Sequence, residues 1–74
     1  MNTSVYVIKD TLADEIGPMF EAKNHEIAKR QFRNLLKEVS DKSDYKLYCI
    51  GHFDREFMEL TPEINVEVIV NVNI

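Results

Sequence analysis

Cys49, His52 and His25 are the residues of this 74-residue chain with the most reactive side chains, a thiol and two imidazoles that could make a nucleophile with its base or ligate a soft metal. Their spacing argues against both. Three positions along an extended strand put Cys49 and His52 on opposite faces unless Gly51 introduces a bulge, and His25 reads as a surface residue in the first turn of a helix. A single cysteine cannot form an intramolecular disulfide, so Cys49 reads as a small buried side chain. Asp54 and Glu56 share parity beside a turn, where an acid–base pair or a cation site competes with turn capping, and capping is the expectation. Gly17 and Gly51 are the only glycines, too few for a phosphate-cradling loop. These residues therefore predict no enzyme activity, no metal, no cofactor and no small-molecule substrate.

Charge placement is more informative. The chain has 9 Lys and Arg against 13 Asp and Glu, a formal charge of −4. Residues 23–46 nevertheless hold Lys23, Lys29, Arg30, Arg33, Lys37, Lys42 and Lys46 against Glu26, Glu38, Asp41 and Asp44, so that segment is positive and the remainder strongly negative. Lys29, Arg33 and Lys37 recur every four residues with Arg30 beside them, a basic stripe on a helix. Such a stripe can follow a phosphate backbone, although a solvated helix face is the commoner explanation. Tyrosines on a sheet beside cations can stack on bases, and Tyr6 and Tyr48 with Lys46 and His52 at the margin offer that arrangement. A subunit interface accounts for the same apolar patch and is the preferred explanation of it.

The elements that must position these residues follow from periodicity. Ser4–Lys9 reads as a strand with two apolar faces, Val5 and Val7 on one, Tyr6 and Ile8 on the other, the second directed away from the helix. Residues 11–16 form an acidic connection to a turn at Gly17-Pro18, and Met19–Ala22 a short extended segment. Asn24 suits an N-cap for a helix over residues 25–39, whose stripe is Ile27, Ala28, Phe32, Leu35, Leu36 and Val39. Ser40–Asp44 reads as a polar linker. Tyr45–Phe53 is a strand whose odd face (Tyr45, Leu47, Cys49, Phe53) lies under the helix. A short strand at Phe57–Leu60, a break at Thr61-Pro62 and an alternating strand from Ile64 to Ile74 complete the chain. No internal repeat or domain boundary is evident. The prediction is one α+β domain, a single amphipathic helix on a mostly antiparallel sheet in the approximate order β-α-β-β-β.

The ordered set made of a strand ending in Asp10, Gly17-Pro18-x-Phe20, Asn24, Ala28-x-Arg30-x-Phe32 and Asp44-Tyr45-x-Leu47-Tyr48-x-Ile50-Gly51-x-Phe53-Asp54, followed by Leu60, resembles the small non-structural protein of gokushovirus-type Microviridae. The resemblance covers residues 5–60. It implies a bacteriophage protein made in the cytoplasm of a bacterial host, of a DNA-binding type that shifts viral DNA replication towards single-stranded genome synthesis and packaging, with no catalytic residues. The chain departs from that pattern at Arg55-Glu56-Phe57, where a glycine turn is usual, and in its long alternating C-terminal strand.

Together these readings predict a non-catalytic accessory protein that binds single-stranded DNA through Lys29, Arg30, Arg33, Lys37, Lys46 and Tyr48. It is expected to form a homodimer or higher oligomer through Tyr6, Ile8, Ile50, Val66, Val68, Ile69 and Val70. The alternative is a protein-interaction module acting on a phage or host protein through the sheet face or the C-terminal strand. The longest apolar runs are a few residues, and Met1-Asn2-Thr3-Ser4 has no basic-then-apolar segment, so no membrane partner is expected.

Overall fold

The computed structural model describes residues 2–70. Strands β1 (Asn2–Asp10), β2 (Glu15–Ala22), β3 (Tyr45–Asp54) and β4 (Glu59–Val68) form one sheet in the order β2-β1-β3-β4, with every neighbouring pair antiparallel. Helix α1 (His25–Leu35) and a 3-10 turn at Lys42–Asp44 connect β2 to β3. This is the α+β architecture that the periodicity predicts, with two differences in the strands. Two full strands precede the helix, where one strand and a short extended segment were expected, and two strands follow it where three were expected.

Both differences come from prolines. Gly17-Pro18 lies inside β2, at a bulge where the register shifts between Val7 and Lys9, and Thr61-Pro62 lies inside β4. β2 and β4 are the two edges of the sheet, where a missing N–H costs no ladder bond, so proline marks an edge here and not a turn. The reversals fall at 11–14 and 55–58. In the first, Asp10 Oδ1 accepts from the amides of Leu12 and Ala13; in the second, Asp54 Oδ1 accepts from Glu56 and Phe57. Each turn closes on a left-handed residue, Asp14 or Met58, both at φ 55°. The two hairpins thus repeat one pattern at the same spacing, Asp10-x4-Glu15-Ile16-Gly17-Pro18 and Asp54-x4-Glu59-Leu60-Thr61-Pro62. They join through the central β1–β3 pair.

The Asn24 side chain accepts from the Ile27 amide at 2.9 Å and caps α1 as predicted. Ala28, Phe32 and Leu36 are buried, Ile27 and Val39 are partly buried, and Leu35 is half exposed. The helix stops at Leu35, short of the predicted residue 39. The amides of Lys37 and Val39 bond three residues back, to Asn34 and Leu36, and this tighter winding still delivers Val39 to the core.

The sheet face beneath α1 differs from expectation in β1. Tyr6 pairs with Cys49 and Ile8 with Leu47, so the odd face of β3 lies under the helix as predicted, and the even face of β1 lies there with it. Tyr6 and Ile8 are 0% and 2% exposed, among the most buried side chains of the molecule, and Val68 is in the same cluster. These three cannot form the outer oligomer surface assigned to them. Val66 is on the helix side of β4, Val70 is partly buried against the core, and Ile69 is exposed just beyond β4. Residues 71–74 of the predicted terminal strand lie outside the described residues.

A second bulge sets the far end of β3. Between Val5 and Tyr6 the register slips past Ile50, which moves His52 to the helix side opposite Ser4 and Phe53 to the outer side opposite Thr3. Phe53 is thereby removed from the predicted helix-facing set. At Gly51 a Cβ would lie 2.7 Å from the Thr61 carbonyl oxygen and 3.2 Å from Pro62 Cα, both backbone atoms of β4. Gly51→Ala is therefore expected to cost about 1–3 kcal/mol by overpacking. Gly17→Ala meets a single contact at 3.1 Å and should cost less. Urea denaturation of the two variants tests this, and equal midpoints would refute it.

Candidate nucleic-acid interface

The six residues predicted to contact nucleic acid divide between opposite sides of the molecule. Lys29, Arg30 and Arg33 are on α1, and Lys37 sits in the turn just past its end. Lys46 and Tyr48 belong to β3 and face away from the helix, because they alternate with Leu47 and Cys49. One strand of DNA lying on the helix does not reach Tyr48, so base stacking on that ring is not part of a helix-side site.

Ion pairing separates the cations further. Lys9 pairs with Asp14 at 3.1 Å, Lys46 with Glu67 at 3.7 Å and Arg55 with Glu21 at 2.9 Å, so each sheet-side cation has a carboxylate partner. Lys29 pairs with Glu26 at 3.3 Å along the helix. Among the described residues, the cations without an ion pair are Lys23, Arg30, Arg33, Lys37 and Lys42, all in α1 or its flanks. Arg33 also lies in the last turn, where the helix dipole favours positive charge. The arrangement can hold phosphates by charge and by guanidinium hydrogen bonds.

A family model described as Phage ORF5 protein matches residues 3–73. The chain belongs to the Phage ORF5 protein family. The match takes in all four strands and the helix, so the whole fold is the family's unit. Comparison with curated proteins and with solved structures gave no match.

The remaining reactive side chains of this Phage ORF5 family member are engaged in holding the sheet. The Gly51 bulge does bring Cys49 and His52 to one face, the exception allowed by the spacing argument, but they do not pair. Cys49 is buried with Sγ directed at the Gly51 carbonyl, 3.8 Å away. His52 Nδ1 is 3.0 Å from Ser4 Oγ and its Nε2 contacts Glu63, which ties the bulged part of β4 to β3 and β1. His25, predicted as a surface residue, is exposed, yet its Nδ1 lies 2.7 Å from the Tyr6 hydroxyl and so satisfies the most buried phenol of the core. Burial pushes the Tyr6 phenol up, with Ser4 opposing. At the opposite end the Asp10 carboxylate, then burial, then Asp44 and Asp41 push the Tyr45 phenol up. No sequence signal pointed to the Tyr6–His25 bond, which joins residues brought together only by the helix crossing.

On the outer face Glu21 is the hub of a small network. Thr3 donates to it at 2.6 Å and Arg55 Nη1 reaches both its oxygens. The Thr3 hydrogen bond, opposed by desolvation and reinforced by Arg55, holds the Glu21 carboxyl below its usual value. A depressed folded pKa means that the stabilisation is present above the unfolded value and lost as pH falls through the folded one. The denaturation midpoint of the wild type should fall on acidification more steeply than that of Glu21→Gln. Parallel pH profiles would contradict this.

Proposed function

We propose that this phage protein is a non-catalytic accessory protein that binds single-stranded DNA during genome replication or packaging in the cytoplasm of its bacterial host, the role implied by its resemblance to the small non-structural proteins of Microviridae. The observation that carries the reading is the segregation of charge. Cations lacking a carboxylate partner among the described residues are confined to α1 and its flanks, and Arg30, Arg33 and Lys37 are all exposed there. A chain of net charge −4 that neutralises its sheet cations and leaves these free presents a local positive surface to a polyanion.

Fluorescence anisotropy with a labelled single-stranded oligonucleotide tests the proposal. Contacts to about three phosphates give a log–log salt slope of about −2, hence a loss of about 20-fold between 50 and 200 mM salt. No binding at the lower salt would end the proposal.

The second reading, a protein-interaction module, draws on the exposed apolar residues along β4 and just beyond it, with Ile64 at 90% and Ile69 at 72% exposure. Under it, reversing Arg30 and Arg33 leaves function intact and Ile69→Asp abolishes it; the opposite pattern eliminates it.

A further inference from the structure

The sheet face opposite α1 has no covering layer. By register it is built of cross-strand rows. Met19, Val7 and Tyr48 form one row ending at Glu67; Val5 and the Gly51 bulge form the next; Thr3, Phe53 and Leu60 form a third. Val5 and Val7 are already buried by their taller neighbours, whereas Tyr48, Ile50 and Phe53 are half-buried and Met19 is 63% exposed. The centre of the face is therefore apolar. Charge lies at its margins, Glu21 beside Val5 on one edge strand and Glu67 beside Tyr48 on the other, and every cation there meets a carboxylate of the same chain: Arg55 with Glu21, Lys46 with Glu67 and Lys9 with Asp14.

We infer that a second copy of this chain docks on this face, sheet against sheet, around Val7, Met19, Tyr48, Ile50 and Phe53. Three observations select that occupant. The charges of the face are neutralised internally, so two copies can meet without burying like charge, whereas a phosphate backbone would find Glu67 beside Tyr48 and no unpaired sheet cation among the described residues. Four strands of about nine residues present about 600 Å² each, and two copies bury about 1,200 Å², the size at which specific interfaces begin. A 74-residue chain with one free cysteine and a core on only one side of its sheet gains a second core by self-packing. The same sheet packing leaves α1 and its arginines on the outside of the pair, so the DNA proposal neither requires nor excludes it.

Sedimentation equilibrium of the full chain tests the inference, with Met19→Lys and Tyr48→Asp as interface variants and Ile64→Asp at the β4 edge as the control. The wild type should sediment at twice the 8.7 kDa of one chain. Both interface variants should fall to the single-chain mass with unchanged circular dichroism, and Ile64→Asp should remain paired. Met19 is an exposed edge residue outside the helix-side core, so Met19→Lys reports on docking even if Tyr48→Asp misfolds. A monomeric wild type overturns the inference. So does a pair that survives Met19→Lys, one broken by Ile64→Asp instead, or a monomer that loses oligonucleotide binding with Tyr48→Asp, which would assign the face to DNA.

Discussion

Reversing Arg30 and Arg33 together to glutamate is expected to weaken oligonucleotide binding by about 100-fold at low salt and to flatten its salt dependence towards zero. Each arginine is exposed and has no carboxylate within ion-pair distance among the described residues, so its full charge is available to a phosphate. The reversal removes two of about three contacts and adds two repulsions, leaving Lys37 to act alone. Fold loss is a poor competing explanation, because neither side chain belongs to the core cluster, and losing the favourable dipole position of Arg33 costs only about 0.3–1 kcal/mol. Lys46→Glu provides the contrast. Lys46 is already paired with Glu67 on the other side of the sheet, and its reversal should change affinity by no more than about threefold. If the double reversal leaves affinity unchanged, or Lys46→Glu matches it, the helix is not the binding surface.

The helix was legible in the sequence because Asn24 and the Ala28, Phe32, Leu36 spacing state one answer at two levels, cap and periodicity. The inner face of β1 was not, because Val5 and Val7 match Tyr6 and Ile8 in apolar character. Parity is specified only where one face is polar. What decides it is tertiary: the Tyr6 ring stacks on Phe20 with centroids 5.7 Å apart, and its hydroxyl meets His25, a residue 19 positions away. In β3 the Gly51 bulge reverses the parity rule part-way along, which is why Phe53 and His52 exchange faces while Leu47 and Cys49 do not. The prolines misled in a consistent way. Pro18 and Pro62 stand at matching positions of two edge strands, and the reversals that precede them rely on Asp10 and Asp54 side chains without a glycine. The basic stripe was visible as spacing, but which of its members is neutralised depends on neighbours: Glu26 takes Lys29, and the end of the helix at Leu35 sets Lys37 apart.

Phe32→Ala should cost about 3–5 kcal/mol, the upper part of the range for core truncation, against a total stability of about 4–11 kcal/mol for a chain of this length. Phe32 is 1% exposed and is the one large side chain that α1 buries completely, set among Tyr6, Ile8 and Leu47 of the two central strands. Its site cannot close readily around an alanine. A half-open surface groove, lined also by Tyr45, Leu47 and Val68, already runs beside it, so the sheet and helix are held apart there and truncation deepens that gap. The residue cost follows cavity volume as well as transfer, which places this variant above Leu35→Ala, where the lost side chain is half exposed and about 1 kcal/mol is expected. The measurement is urea denaturation followed by circular dichroism at a fixed chain concentration, since a self-associating chain gains apparent stability with concentration. Because α1 carries both the core anchor and the free arginines, Phe32→Ala should also lower oligonucleotide affinity at temperatures where the helix detaches, with Arg30 and Arg33 intact. Equal costs for Phe32→Ala and Leu35→Ala would show that the helix is seated by its whole stripe and not by this one ring.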